Sequence, residues 1–147
     1  MLNLVGLGGT FDHLHKGHKL LIHTALKVSD RVVIGLTSEK LLKNKKYFEK
    51  IETYEEREKN INEYIKQVTD PKRVQIIELN DPFGPPIHDS SYEGIVVSQE
   101  TYKGALNINE IRKEKGFNPL IIIVVPIVKD KENKKISSTA IRKKIKY

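Results

Sequence analysis

The chain has 147 residues, 38% of them hydrophobic and 31% charged, which fits one domain over residues 1–147 burying about two thirds of its unfolded surface. It has no cysteine, which excludes disulfides and thiolate metal sites and makes a cytoplasmic address the expectation. No apolar run nears the roughly 18 residues that span a membrane, and MLNLVGLGG lacks the basic region and cleavage pattern of a signal peptide. The net charge of +7 raises nucleic acid as a partner, but aromatic residues are not interleaved with the basic clusters as base stacking would require.

The first predicted element is a strand over 2–8, followed by GLGGTFDHLHKGH (6–18). Three readings of that stretch compete. A dinucleotide loop fails, because the third glycine position holds Phe11 and no acid stands about 20 residues on at a strand end. A metal site is suggested by His13, His15, His18 and His23 within eleven residues, but the barrel hydrolases that use such a pattern need about 250 residues. His23 lies about 140° round a helix from His18, and His23 and His88 read as ordinary surface or half-buried histidines. No protein-held metal is expected. The third reading is a phosphate clamp. Gly8, Gly9 and Thr10 follow the strand, and HKGH opens a helix with His15 and His18 on one face. Gly17 would leave room for a nucleotide, and the helix dipole and free N–H groups favour an anion there. Asp12 either holds the turn or lines the site.

Helical periodicity over 18–28 puts Leu21, Ala25 and Val28 on one face, with Leu20 and Ile22 beside them. A strand over 31–37 precedes KLLKNKKYFEK, which carries five lysines. They form either a solvated basic surface or a site for a phosphorylated small molecule. A helix over 54–68 is capped by Thr53 with Glu56 three residues on, and buries Ile61, Ile65 and Val68. A strand over 73–79 leads to DPFGPP, a rigid loop that either closes on that strand or walls a ligand arm. A strand over 94–98, a helix over about 100–115 ending at Gly116 and a strand over 120–126 follow. The last 19 residues carry eight Lys or Arg against two acids, a net +6, with a short helix expected over 138–146. Alternating strands and helices of this kind build a doubly wound, five-stranded parallel sheet with helices on both faces. Its strand runs are apolar enough to be covered on both sides, and ligands sit beyond the carboxyl ends, at 8–18, 37–46, 80–92, 98–103 and 126–139.

GGTFDHLHKGH resembles the H-x-G-H signature of the nucleotidyltransferase superfamily, whose members share a Rossmann-like sheet. ISSTAIR (136–142) resembles its second signature, I-S-S-T-x-[IV]-[RK], which opens the last helix. Residues 81–112 and TSEKLLKNKKYFEKIETYEERE resemble the archaeal and eukaryotic type of phosphopantetheine adenylyltransferase. The resemblance covers nearly the whole chain.

It implies transfer of AMP from ATP to 4′-phosphopantetheine by direct in-line displacement, with Mg²⁺ arriving on ATP and held mostly by phosphates and water. It implies His18 on the α-phosphate, His15 on the neighbouring phosphates and Thr10 orienting the attacking phosphate. Lys43, Lys45 or Lys46 would hold that phosphate, Lys45 being the catalytic choice. Ser137, Ser138, Thr139 and Arg142 would bind the β- and γ-phosphates. The expected ATP site adds Gly8, Gly9, Phe11, Gly17, Ser98 and Glu100, and Asp81 is the further acceptor contact. Bacterial members carry arginines after the fourth strand, where this chain has SQETYKG, so those roles do not transfer. A relative with another phosphate acceptor, such as FMN, nicotinamide mononucleotide or glycerol 3-phosphate, shares the same two signatures. A basic nucleic-acid-binding protein is the alternative of another class. The expected partners are the two small substrates, without nucleic acid or membrane, for a monomer or small homo-oligomer.

Overall fold

The computed structural model describes residues 1–43 and 48–128. The short helix expected over 138–146 lies outside them.

Strand β1 (Leu2–Gly9) runs to the turn that precedes α1 (Lys16–Val28). β2 (Ser29–Thr37), the one-turn helix α2 (Glu39–Leu42) and α3 (Tyr54–Val68) come next. β3 (Val74–Leu79), β4 (Gly94–Ser98), α4 (Tyr102–Glu114) and β5 (Ile121–Val125) complete the described strands and α-helices. The sheet is all-parallel in the order β3-β2-β1-β4-β5. Its chain therefore winds outward in opposite directions from β1, and the crevice at the carboxyl ends of β1 and β4 is the switch point where such sheets bind ligands.

Two apolar layers sandwich the sheet, as the uniform strand runs require. α1 and α3 cover one face, where Ile22, Ala25, Leu26, Ile61 and Ile65 pack on Val5, Leu7, Ile34 and Val96. Ala105 and Ile108 of α4, with Ile87 and Tyr92 of the β3–β4 connection, cover Leu4, Val33, Ile95 and Val97 on the other. Burying a single Leu or Ile side chain stabilises by about 1.5–3 kcal/mol, so these layers dominate the fold's stability.

Local signals set the helix ends. Thr53 Oγ1 accepts the Glu56 N–H at 3.2 Å, and Gly116 at φ 78° stops α4, with the Phe117 N–H donating back to Arg112 O at 2.8 Å. Two expectations change. Val68, the last residue of α3, is 44% exposed because the helix has run past the sheet. β5, with one sheet neighbour among the described residues, leaves Ile121 and Val124 55% and 43% exposed.

Candidate active site

The turn after β1 is built around Asp12. Phe11 and His13 on either side adopt the left-handed conformation, at φ 51° and 48°, which costs a side-chain-bearing residue about 1–2 kcal/mol. Asp12 is fully buried and its Oδ1 accepts the Glu52 N–H at 2.8 Å. Glu52 Oε1 in turn accepts the His13 N–H at 2.7 Å. This reciprocal pair offsets the backbone strain, and it shows Asp12 to be the holder of the turn. The left-handed residues are not the glycines: Gly8 and Gly9 belong to β1.

Helix α1 begins two residues earlier than its periodicity suggests, because His15 is its N-cap. His15 Nδ1 accepts the Gly17 N–H at 3.1 Å, and His18 Nδ1 accepts the His15 N–H at 3.3 Å. The His18 backbone N–H also reaches the His15 side chain, so H-x-G-H forms a reciprocal capping box, the arrangement usually made by Ser or Thr with Glu or Gln. The helix-start amides of Gly17 and His18 are thereby engaged by His15. Gly17 serves this arrangement sterically: a Cβ there would sit 2.9 Å from His15 Cε1, so the space above it belongs to the ring.

The two imidazoles stack with centroids 3.8 Å apart and planes 22° from parallel. Buried Phe11 supports His18 with its ring centroid at 5.3 Å. Because each Nδ1 accepts a backbone N–H, the ring proton stands on Nε2 in both. Each ring of the pair thus carries one N–H donor, on Nε2. Burial, and then the neighbouring His13, push His15 below the ordinary imidazole range.

His15 lines a depression with His13, Lys19, Glu52 and Tyr64. On the α4 face, a separate cavity of about 530 Å³ opens beside Gly8, Gly9 and Thr10. Its floor is the register pair Gly8 and Gly35, where the sheet carries no side chain. Leu79 hangs over both: Cβ atoms at Gly35 and Gly8 would meet its side chain at 2.7 and 3.2 Å. Phe83, Tyr92 and Ile108 add apolar wall, while Thr10, Asp81 and Glu100 are polar groups on the lining. Asp81 Oδ1 accepts the Phe83 and Gly84 N–H groups, both at 2.8 Å. Those bonds, Gly84's first, hold its carboxyl below the ordinary range. The DPFGPP segment is thus both a closed loop and a cavity wall.

Gly8, Gly9, Thr10, Asp81 and Glu100 come together on that lining, while Phe11, His15, Gly17 and His18 follow Thr10 in the chain and are not on it. Ser98 ends β4, where its N–H donates to Thr101 Oγ1 at 3.1 Å. Lys43 is exposed at the end of α2. Lys45, Lys46, Ser137, Ser138, Thr139 and Arg142 lie outside the described residues.

Asp12, His13 and Glu52 each offer a ligand atom within 4.8 Å of the others, a group able to hold a metal ion. Asp12 Oδ1 and Glu52 Oε1 already accept backbone N–H groups, Glu52 Oε2 accepts from Asn60 Nδ2 at 3.2 Å, and His13 Nε2 lies 3.3 Å from Lys50 O.

Two buried arginines were missing from the sequence reading. Arg57 Nη1 donates to Thr37 O at 2.8 Å and Thr10 O at 3.0 Å, and its Nε donates to Glu52 O at 3.0 Å. Arg112 directs its guanidinium at the carbonyls of Pro86, Asp89, Ser90, Tyr92 and Asn118, fixing the far cavity wall. Burial lowers both from the ordinary guanidinium range.

A sequence model described as cytidylyltransferase-like matches residues 7–144. The phosphopantetheine adenylyltransferase of Pyrococcus abyssi is 51% identical over 138 residues, 94% of this chain and 87% of that protein. The protein of that name from Saccharomyces cerevisiae is 40% identical over 98% of this chain and 49% of its own length. A solved structure of a protein with unknown function from Archaeoglobus fulgidus superposes with a TM-score of 0.72 at 33% identity, covering 83% of this chain and 97% of that one.

Proposed function

The chain belongs to the cytidylyltransferase-like family and, within it, to the phosphopantetheine adenylyltransferases, and from that premise we propose that it transfers AMP from ATP to 4′-phosphopantetheine, releasing dephospho-coenzyme A and pyrophosphate. The observation that carries this reading is the stacked His15–His18 pair, whose Nδ1 atoms cap the helix start, in the turn that follows the cavity-lining residues Gly8, Gly9 and Thr10 at the switch point.

An oxygen of the acceptor phosphate attacks the α-phosphorus of ATP, and the bond from that phosphorus to the β-bridging oxygen breaks. The acceptor phosphate is already ionised at neutral pH, so no general base is required. Catalysis rests on alignment and on donors aimed at the charge of the transferring group. His18 supplies a donor to the α-phosphate and His15 to the phosphates beside it. Thr10 orients the incoming phosphate, and Lys43, Lys45 and Lys46 hold it from the segment after β2. The pantetheine arm lies along the cavity under Leu79 and Phe83, with Asp81 at its side. The nucleotide lies over the turn from Gly8 to His18 and past Ser98 and Glu100, its terminal phosphates on Ser137, Ser138, Thr139 and Arg142. Mg²⁺ neutralises the triphosphate when bound, held by phosphate oxygens and water. Asp12, His13 and Glu52 fit it less well, because their hydrogen bonds to the turn compete with coordination.

Among the described residues no helix is long and apolar enough to cross a membrane. The proposed enzyme is cytoplasmic, works on small molecules without nucleic acid, and is a monomer or small homo-oligomer within the single domain 1–147.

The test offers the protein ATP and Mg²⁺ with 4′-phosphopantetheine, FMN, nicotinamide mononucleotide or glycerol 3-phosphate in separate reactions, adding CTP for the last. Pyrophosphate and dephospho-coenzyme A with phosphopantetheine alone, lost in His18→Ala, are expected. Turnover with a different acceptor alone overturns the acceptor assignment, and turnover with none overturns the chemistry.

A further inference from the structure

We propose that Arg57 is a positioning residue for the acceptor phosphate: one guanidinium closes the neck of the 38–51 segment and ties that neck to Thr10. The inference rests on the reading above that lysines of this segment hold the acceptor.

The neck is defined by two carbonyls. Thr37 is the last residue of β2, immediately before the segment, and Glu52 immediately follows it. Arg57 reaches both, with Nη1 on Thr37 O at 2.8 Å and Nε on Glu52 O at 3.0 Å. The same Nη1 donates to Thr10 O at 3.0 Å, so both ends of the lysine segment and the residue assigned to orient the attacking phosphate share one rigid fork. A further tie crosses the neck from the Tyr54 N–H to Glu39 Oε1 at 2.9 Å. Glu52 is also locked to the phosphate turn through Asp12 and His13. Lysine cannot replace this group, because a compact ammonium lacks the planar fork that spans three carbonyls.

Arg112 is the internal comparison. All three of its guanidinium nitrogens donate to carbonyls, as a purely structural staple should. Arg57 is equally buried, yet its Nη2 has no partner among the described residues. An unsatisfied buried donor is rare and costly. Its persistence fits a residue placed for the two strand ends and the neck rather than for its own satisfaction.

The experiment compares the full-length wild type, Arg57→Lys, Arg57→Ala and Arg112→Lys. Steady-state KM for ATP and for 4′-phosphopantetheine, kcat and Tm are measured, with tryptic cut sites mapped by mass. In Arg57→Lys the acceptor KM should rise roughly 10- to 100-fold, the cost of slight misplacement, while KM for ATP moves by less than about threefold. Cleavage after Lys43, Lys45, Lys46 and Lys50 should accelerate in that variant and not in Arg112→Lys. Should Arg57→Ala not fold, the lysine variant decides alone. Unchanged cleavage in folded Arg57→Lys overturns the neck assignment. An equal rise in both KM values, or a kcat that merely tracks Tm, overturns the positioning role. The alanine variants of Lys43, Lys45 and Lys46 separate the two levels. If none of them moves the acceptor KM, the lysine reading fails. If they do and Arg57→Lys does not, the present proposal fails alone.

Discussion

His15 and His18 hold each other in place: the His15 ring caps the amides of Gly17 and His18, and the His18 ring takes the amide of His15, with the two rings 3.8 Å apart. Helix start and phosphate clamp are therefore the same pair of side chains. Both Nδ1 atoms serve the backbone.

Separating the two jobs is straightforward at His15. Asparagine is among the best N-cap residues, whereas alanine forfeits about 1 kcal/mol. His15→Ala should lower Tm by roughly 2–6 °C and reduce kcat, while His15→Asn should reduce kcat with Tm nearly unchanged. His18→Ala should cost about 10²–10³ in kcat, the usual loss for a transition-state donor. Thermal melts run alongside pyrophosphate-release kinetics check all three. A His15→Asn enzyme of full activity would remove the ring from the clamp.

The acid limb of stability should trace to the same ring. His15 is pushed down from its ordinary value of 6.5, first by burial and then by His13. Between the folded and ordinary pKa values the unfolded chain binds more protons, so stability rises with pH there. The contribution is complete above the ordinary value and is lost as pH falls through the folded one. Protonating Nδ1 also removes the acceptor for the Gly17 amide. Tm should therefore drop on going from neutral pH to about 5, and His15→Asn should flatten that drop. Denaturation curves across the window, wild type against variant, measure the difference.

Gly17→Ala should reduce activity with little net change in stability. Alanine is favoured over glycine in a helix by about 1 kcal/mol, which roughly offsets the cap lost if the His15 ring is displaced. The new Cβ would stand 2.9 Å from His15 Cε1 and 3.1 Å from Nδ1, so the ring must swing away. A kcat reduced by about tenfold or more with an undiminished Tm is expected. A parallel loss of both would mean that the helix start, rather than the ring, had been disturbed.

Much of this arrangement is written in the sequence and some is not. All five strands are legible as β-branched apolar runs; GIVVS is covered on both faces as such a run requires, whereas LIIIVVP leaves Ile121 and Val124 exposed. The turn geometry was hidden: positive φ falls on Phe11 and His13, in a turn held by the hydrogen bond that the Glu52 N–H donates to Asp12. That contact joins residues 40 apart, beyond the reach of any local pattern. Arg57 sits in YEEREKNINEYIKQV, which reads as a charged surface. A signal was nonetheless present, since Arg57, Ile61 and Ile65 recur every four residues and share the buried stripe. Ala105, Ile108 and Arg112 repeat the pattern on α4. An arginine that continues an apolar stripe is a buried carbonyl staple in both cases here.

The cavity makes the last prediction, through Leu79 and Gly35. Gly35 faces Gly8 in register, and Leu79 fills the space that side chains at these positions would occupy. A methyl group at Gly35 would meet Leu79 Cγ, Cδ1 and Cδ2 at 2.7, 2.8 and 2.8 Å. Gly35→Ala should therefore push Leu79 into the cavity, destabilise the fold by about 1–3 kcal/mol and raise KM for the acceptor with little effect on that for ATP. Leu79→Ala removes the obstructing atoms and should cost about 1–2 kcal/mol, less than a fully buried leucine because Leu79 is half-buried on the cavity lining. In the double variant the new methyl occupies part of the vacated space, so the two costs should be less than additive, by at least about 0.5 kcal/mol. Urea melts of the wild type, both single variants and the double variant complete the cycle. Strict additivity would show that Leu79 does not rest on Gly35 in solution, and an acceptor KM unmoved by Gly35→Ala would take the pantetheine arm out of this cavity.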